Sequence, residues 1–99
     1  MSSVAEVTGI PWYEPNTYSQ ILEIMEDAHL LPDTYEKWLR GASAVVAHAR
    51  QNGDRPVKVR IDPTRFQAWC AAQGFAADSE GRLEFAYLAA QAEAAARPV

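Results

Sequence analysis

The sequence predicts a mainly α fold, four helices in a single domain with one short β-strand between the second and third helices. Three observations predict it. Apolar residues recur at three- and four-residue spacing through most of the chain. Capping residues and glycine or proline stops cut that pattern into four segments. The period falls to two only between Pro56 and Ile61. At 99 residues the chain can bury a core of its own without disulfides or metals.

Residues 1–15 read as an N-terminal arm, because Gly9, Pro11 and Pro15 interrupt any regular pattern. Ile10, Trp12 and Tyr13 are too apolar to stand in water, so they are expected to pin the arm to the core. The helical domain then occupies residues 16–96. Its first helix begins near Thr17, which with Gln20 has the spacing of a capping box. Tyr18, Ile21, Leu22 and Met25 form the buried stripe, and Leu31-Pro32 stops the segment.

Asp33 is the expected cap of the second helix, with Glu36 completing a second box. Tyr35, Trp38, Leu39, Ala42, Val45, Val46 and Ala49 make its apolar face. Gly41 costs about 1 kcal/mol relative to alanine, a cost that close helix packing would explain. Asn52-Gly53 ends the helix. In the strand, Val57, Val59 and Ile61 point one way and Lys58 and Arg60 the other. Asp62-Pro63 opens the third helix and Gly74 closes it, with Phe66, Trp69, Cys70 and Gln73 on one face. The fourth starts near Asp78 or Ser79, carries Leu83, Phe85, Ala86, Tyr87 and Leu88, and fades by Arg97-Pro98. Trp38 and Trp69 are expected in one core with Tyr18, Leu22, Phe66 and Leu83.

Tyr18-x-x-Ile21, Leu31-Pro32, Tyr35-x-x-Trp38-Leu39 and Asp62-Pro63-x-x-Phe66-x-x-Trp69-Cys70 together resemble a group of small uncharacterised bacterial proteins. The resemblance spans most of residues 12–90 and implies no activity, so no functional residue follows from it. Alanine-rich composition, with seven arginines to two lysines, points the same way, toward a bacterial source. No apolar run approaches the roughly 18 residues that cross a bilayer. Met1–Glu6 has neither the basic nor the apolar stretch of a signal peptide, and the lone Cys70 fits a reducing compartment. The expected location is the cytoplasm, with no membrane partner.

Charge is unevenly spread beneath a net −4. Residues 1–36 hold seven acids and no lysine or arginine, while residues 37–65 hold seven bases against Asp54 and Asp62. Either the acidic segment lies against the basic one, or the basic one awaits an outside anion.

Candidate chemistry is sparse. Glu26-x-x-His29 has the spacing found in carboxylate-bridged metal bundles, but no second copy accompanies it, and no metal or other cofactor is expected. Cys70 has apolar neighbours and no adjacent histidine, as a packing residue would. The leading expectation is therefore a non-enzymatic interaction or accessory protein that self-associates as a homodimer. Lys58, Arg60 and Trp12 are its candidate interface or anion-binding residues. The first alternative is a ribbon-helix-helix DNA-binding regulator reading bases with Lys58 and Arg60, although a pI near 5.0 disfavours a nucleic-acid partner. A small enzyme with an unrecognised site is the second. The strand at 57–61 needs a partner for its backbone groups, and two are within reach. The favoured one is the same strand of a second copy, antiparallel about a two-fold axis; the other is the arm around Val4–Thr8, pairing as a hairpin.

Overall fold

The strand that needed a partner finds one in the arm of its own chain. The computed structural model describes residues 7–96, in which β1 (Val7–Trp12) pairs with β2 (Arg55–Arg60) as a two-stranded parallel sheet. Gly9 stands opposite Val57 and Trp12 opposite Arg60. The pairing is therefore not a hairpin, because parallel strands need a long crossover. Here the crossover holds α1 (Tyr18–Ile24), a 3₁₀ turn (Ala28–Leu30) and α2 (Tyr35–Gln51); α3 (Pro63–Gln73) and α4 (Ser79–Ala96) follow β2. Mainly α with four helices is borne out, and the single strand is corrected to two. Val4–Glu6 and the expected fraying at Arg97-Pro98 lie outside the described residues.

The arm makes a strand despite two breakers because of how the ladder is oriented. The Ile61 amide donates to the Trp12 carbonyl at 2.9 Å, and the pairing register then fixes which backbone groups face inward. Even-numbered residues of β1 and odd-numbered residues of β2 turn their amides and carbonyls to each other. Pro11 and Pro56 both fall on the outward positions, where a missing donor costs no ladder bond. Gly9 is required for a different reason. A Cβ there would be driven into the Ala86 carbonyl of α4, a backbone atom that cannot step aside.

Helices cover both faces of the sheet. Val59, flanked by Val7 and Val57, packs against Ala86 and Ala90 of α4. The other face carries Trp12, whose ring meets Trp38 of α2 edge-on at 5.0 Å. A two-stranded sheet is marginal in water, and these two layers supply the burial that it lacks alone. The larger core gathers Tyr13, Tyr18, Ile21, Met25, Trp38 and Phe66 with Ile61 and Cys70.

Several local expectations change. Thr17 begins α1 without a side-chain cap, its hydroxyl turned to the Glu14 carbonyl instead, so the box with Gln20 does not form. α1 ends at Ile24, seven residues before the Leu31-Pro32 stop, and the 3₁₀ turn takes up the remainder. Thr34, not Asp33, caps α2 by accepting from the Lys37 amide, while Asp33 pairs with the Lys37 side chain at 3.0 Å. Asp62 caps α3 and Gly74 closes it at φ 78°, both as expected. Trp38 is buried, but Trp69 and Leu22 are only partly so, and Leu83 is 59 % exposed. Leu83 loses its place because Arg82, Ala86 and Ala90 turn inward, which puts positions 83 and 87 on the outer side of α4. Val45 likewise lies outside the buried face of α2, at 54 % exposure. Among the described residues no helix is long and apolar enough to cross a membrane.

Candidate functional site

Lys58, Arg60 and Trp12 do come together, on the α2 side of the sheet, but they engage one another and nearby acids. The Lys58 ammonium sits 4.4 Å from the Trp12 ring centre, a cation–π contact. Arg60 Nε lies 2.8 Å from Glu14, with Asp62 4.0 Å from a second guanidinium nitrogen. Trp12 is thereby held between Lys58 and Trp38 rather than offered as a bare anchor. Arg60 and Lys37 both meet acids of the first 36 residues, so part of the uneven charge is satisfied within the chain.

Cys70 is buried, its thiol 3.7 Å from the Ala76 carbonyl, and burial followed by the nearby Asp78 charge pushes it above the usual thiol range. That is the opposite of what a nucleophile needs. Glu26 and His29 are both exposed, and no three His, Cys, Asp or Glu side chains among the described residues gather closely enough to hold a metal ion.

The concave feature lies elsewhere. A cleft of about 470 Å³ opens between α2, α4 and the end of β1, within the range of small-molecule sites. Ile10, Tyr13, Trp38 and Ala42 line it and are buried, so they form its floor. Gly41 and Val45 of α2 and Leu83 of α4 line it from exposed positions, so they form its rim. Gly41 therefore serves open space rather than helix contact, since a Cβ there would meet nothing within 4 Å. Leu31-Pro32 close one side, fixed in part by the Tyr18 hydroxyl donating to the Pro32 carbonyl.

One end of the cleft is polar. Arg82, 7 % exposed, donates through two nitrogens to both carboxylate oxygens of Asp27, at 2.8 and 3.0 Å. The same guanidinium contacts the Met25 sulfur at 3.4 Å. The hydrogen bond from Arg82 holds the Asp27 carboxyl below its ordinary range, against the opposing effect of burial. Burial alone would lower the guanidinium, but its bond to Asp27 and the neighbouring charges leave it raised. Tyr13 stands beside this pair at 2 % exposure, its hydroxyl pushed up to about 12 chiefly by burial. That hydroxyl has no hydrogen-bond partner among the described residues. No wholly buried side-chain oxygen or nitrogen among them is unpartnered, so the hydroxyl keeps some open surface, and Tyr13 is among the residues that line the cleft.

Sequence reasoning missed this site because its parts come from three separate elements and the segments between them, and two of its residues, Arg82 and Tyr13, carried no local motif. The signal that could have been read was Arg82 itself, a charge at a position i−4 to the apolar Ala86 and i−8 to Ala90. In comparisons with protein-family models, curated proteins and solved structures, the chain matches none of them.

Proposed function

We propose that this chain is a non-enzymatic binding protein whose working part is the cleft between α2, α4 and β1, occupied by a small, largely apolar molecule. One observation carries the reading: an open apolar space of about 470 Å³ with a buried aromatic floor and a rim of half-exposed Val45 and Leu83. The size falls within the range of small-molecule sites, which are concave and mostly apolar with a few polar groups. The engaged state of Lys58 and Arg60, and a β2 already paired in parallel within the chain, give the DNA-reading alternative no favouring observation.

Gly41 provides the test. It is exposed, helical and open toward the cleft, so a bulky side chain there fills the space without disturbing the fold. The native protein should raise the fluorescence of the neutral probe N-phenyl-1-naphthylamine, and Gly41→Ala should do the same. Gly41→Trp should abolish the signal while keeping the native circular dichroism. An unchanged signal in Gly41→Trp places the probe elsewhere and removes the reading.

Self-association stands as a second reading, on a separate observation. Beyond the cleft, Tyr87 and Leu88 leave α4 with two large apolar side chains, 53 % and 45 % exposed. A patch of that kind suits a two-fold contact between copies. The β2 edge suits it less well, since Pro56, Lys58 and Arg60 supply the outward groups there, and proline and lysine are what blunt sheet edges.

A further inference from the structure

We infer that the guest of this cleft is an amphipathic anion, an unbranched or aromatic monocarboxylic acid whose carboxylate sits against the Tyr13 hydroxyl and Arg82 and whose apolar body lies along Trp38, Val45 and Leu83. The inference rests on the binding reading above and adds the chemistry of the head group.

Three observations carry it. First, every ionisable cleft-lining side chain that is charged at neutral pH is a cation. Arg82 and Lys37 line the space, and no aspartate or glutamate does. Second, Tyr13 is 2 % exposed and lines the cleft, and its hydroxyl has no partner among the described residues. A phenol in that state is a donor waiting for an acceptor, because burial costs free energy that only a hydrogen bond offsets. Third, Arg82 is not exhausted by its partners. Its guanidinium carries five N–H donors, and the contacts to Asp27 and Met25 account for three. Both Asp27 oxygens are turned to Arg82, and of the pair it is Arg82 that lines the cleft and Asp27 that does not.

An incoming carboxylate therefore meets a neutral donor, a spare guanidinium N–H and, at the rim, the Lys37 ammonium, which it shares with the exposed Asp33. Hydrogen bonds to an ionised acceptor are about twice as strong as neutral ones. An alkylammonium head would instead meet donors and no free carboxylate, since Asp27 is held by Arg82 and Asp33 by Lys37. An alcohol would fit the cleft but take only one or two of the available donors. Apart from Ser79 the remaining walls are apolar and favour a hydrocarbon body of modest length over a sugar or a nucleotide.

Isothermal titration with decanoate, decanol and decylammonium, three probes that share one chain and differ in the head, tests this directly. Decanoate should bind most tightly, roughly tenfold better than decanol, and decylammonium weakest. Tyr13→Phe keeps the ring and removes the hydroxyl, and should weaken decanoate by roughly tenfold. Lys37→Gln, at an exposed position that cannot endanger folding, should weaken decanoate a few-fold and decanol not at all. Decanol binding as well as decanoate, or Tyr13→Phe and Lys37→Gln both leaving decanoate unchanged, overturns the head-group assignment. If none of the three binds while the neutral fluorescent probe still does, the anionic guest is wrong and the cleft reading survives. If the probe fails as well, both fall.

Discussion

Arg82 shows how a single residue can reverse its sequence-level expectation. An arginine beside Leu83 at the start of a helix reads as the solvent side, yet it is the arginine that is buried and the leucine that is exposed. Burial of a charge is tolerable only with a matched partner, and Asp27 supplies it with two short hydrogen bonds. Both side chains are largely buried, so Asp27→Asn leaves an uncompensated guanidinium and should cost about 3–5 kcal/mol in chemical denaturation. The pH dependence follows from the sign of the shift. The folded carboxyl lies below its unfolded value of about 3.9, so the fold binds fewer protons than the open chain. The stabilisation is complete above that value and is lost as pH falls through the folded one. The gap in denaturation midpoint between native protein and Asp27→Asn should therefore be widest near neutrality and close as the pH drops below 4. A gap that stays constant across that range would show that the pair does not control it. Cys70 makes the complementary point, since its burial and raised thiol predict slow labelling by a thiol reagent in the fold and rapid labelling after unfolding. Fast reaction of the folded protein at neutral pH contradicts this.

At the scale of an element, β1 is the segment most easily misread. Glycine and proline in six residues argue against a strand. The geometry resolves this: Gly9 faces α4 where no Cβ fits, and Pro11 lies on the outward side of the ladder. The same alternation sorts two substitutions in β2. The Val59 amide faces β1 and the Lys58 amide faces away. Val59→Pro should thus remove a ladder bond and cost about 2 kcal/mol or more, packing losses aside. Lys58→Pro should cost about 1 kcal/mol or less, mostly its contact with Trp12. Thermal melts of the two variants decide the matter, and equal losses would mean that the register is shifted by one residue.

Across the whole molecule, the buried residues fall into two groups, a large aromatic one around Trp38 and Phe66 and a small one where α4 covers the sheet. The radius of gyration is 14.2 Å, against about 13 Å for a typical domain of this length, as expected of a core divided in two with a cleft beside the join. The outer face of α4 closes neither group. Light scattering at about 100 μM should give twice the chain mass, and Leu88→Glu should return the protein to a monomer if α4 is the contact. A native protein that scatters as a monomer at that concentration ends the self-association reading.

What the sequence determined by itself was local. Four helices, the β2 strand, the Asp62 cap and the Gly74 stop were legible because each depends on neighbours within about four residues. The burial of Trp38 and Phe66 was legible for the same reason, as members of periodic stripes. The tertiary structure decided everything that joins distant parts of the chain. It paired β2 with an arm more than forty residues away, across α1 and α2, and it turned Arg82 inward to meet an aspartate 55 residues before it. It also left Val45 and Leu83 facing an open cleft instead of each other. Periodicity says that a residue has an apolar face to hide, but only the packed arrangement says which neighbour hides it and where no neighbour arrives.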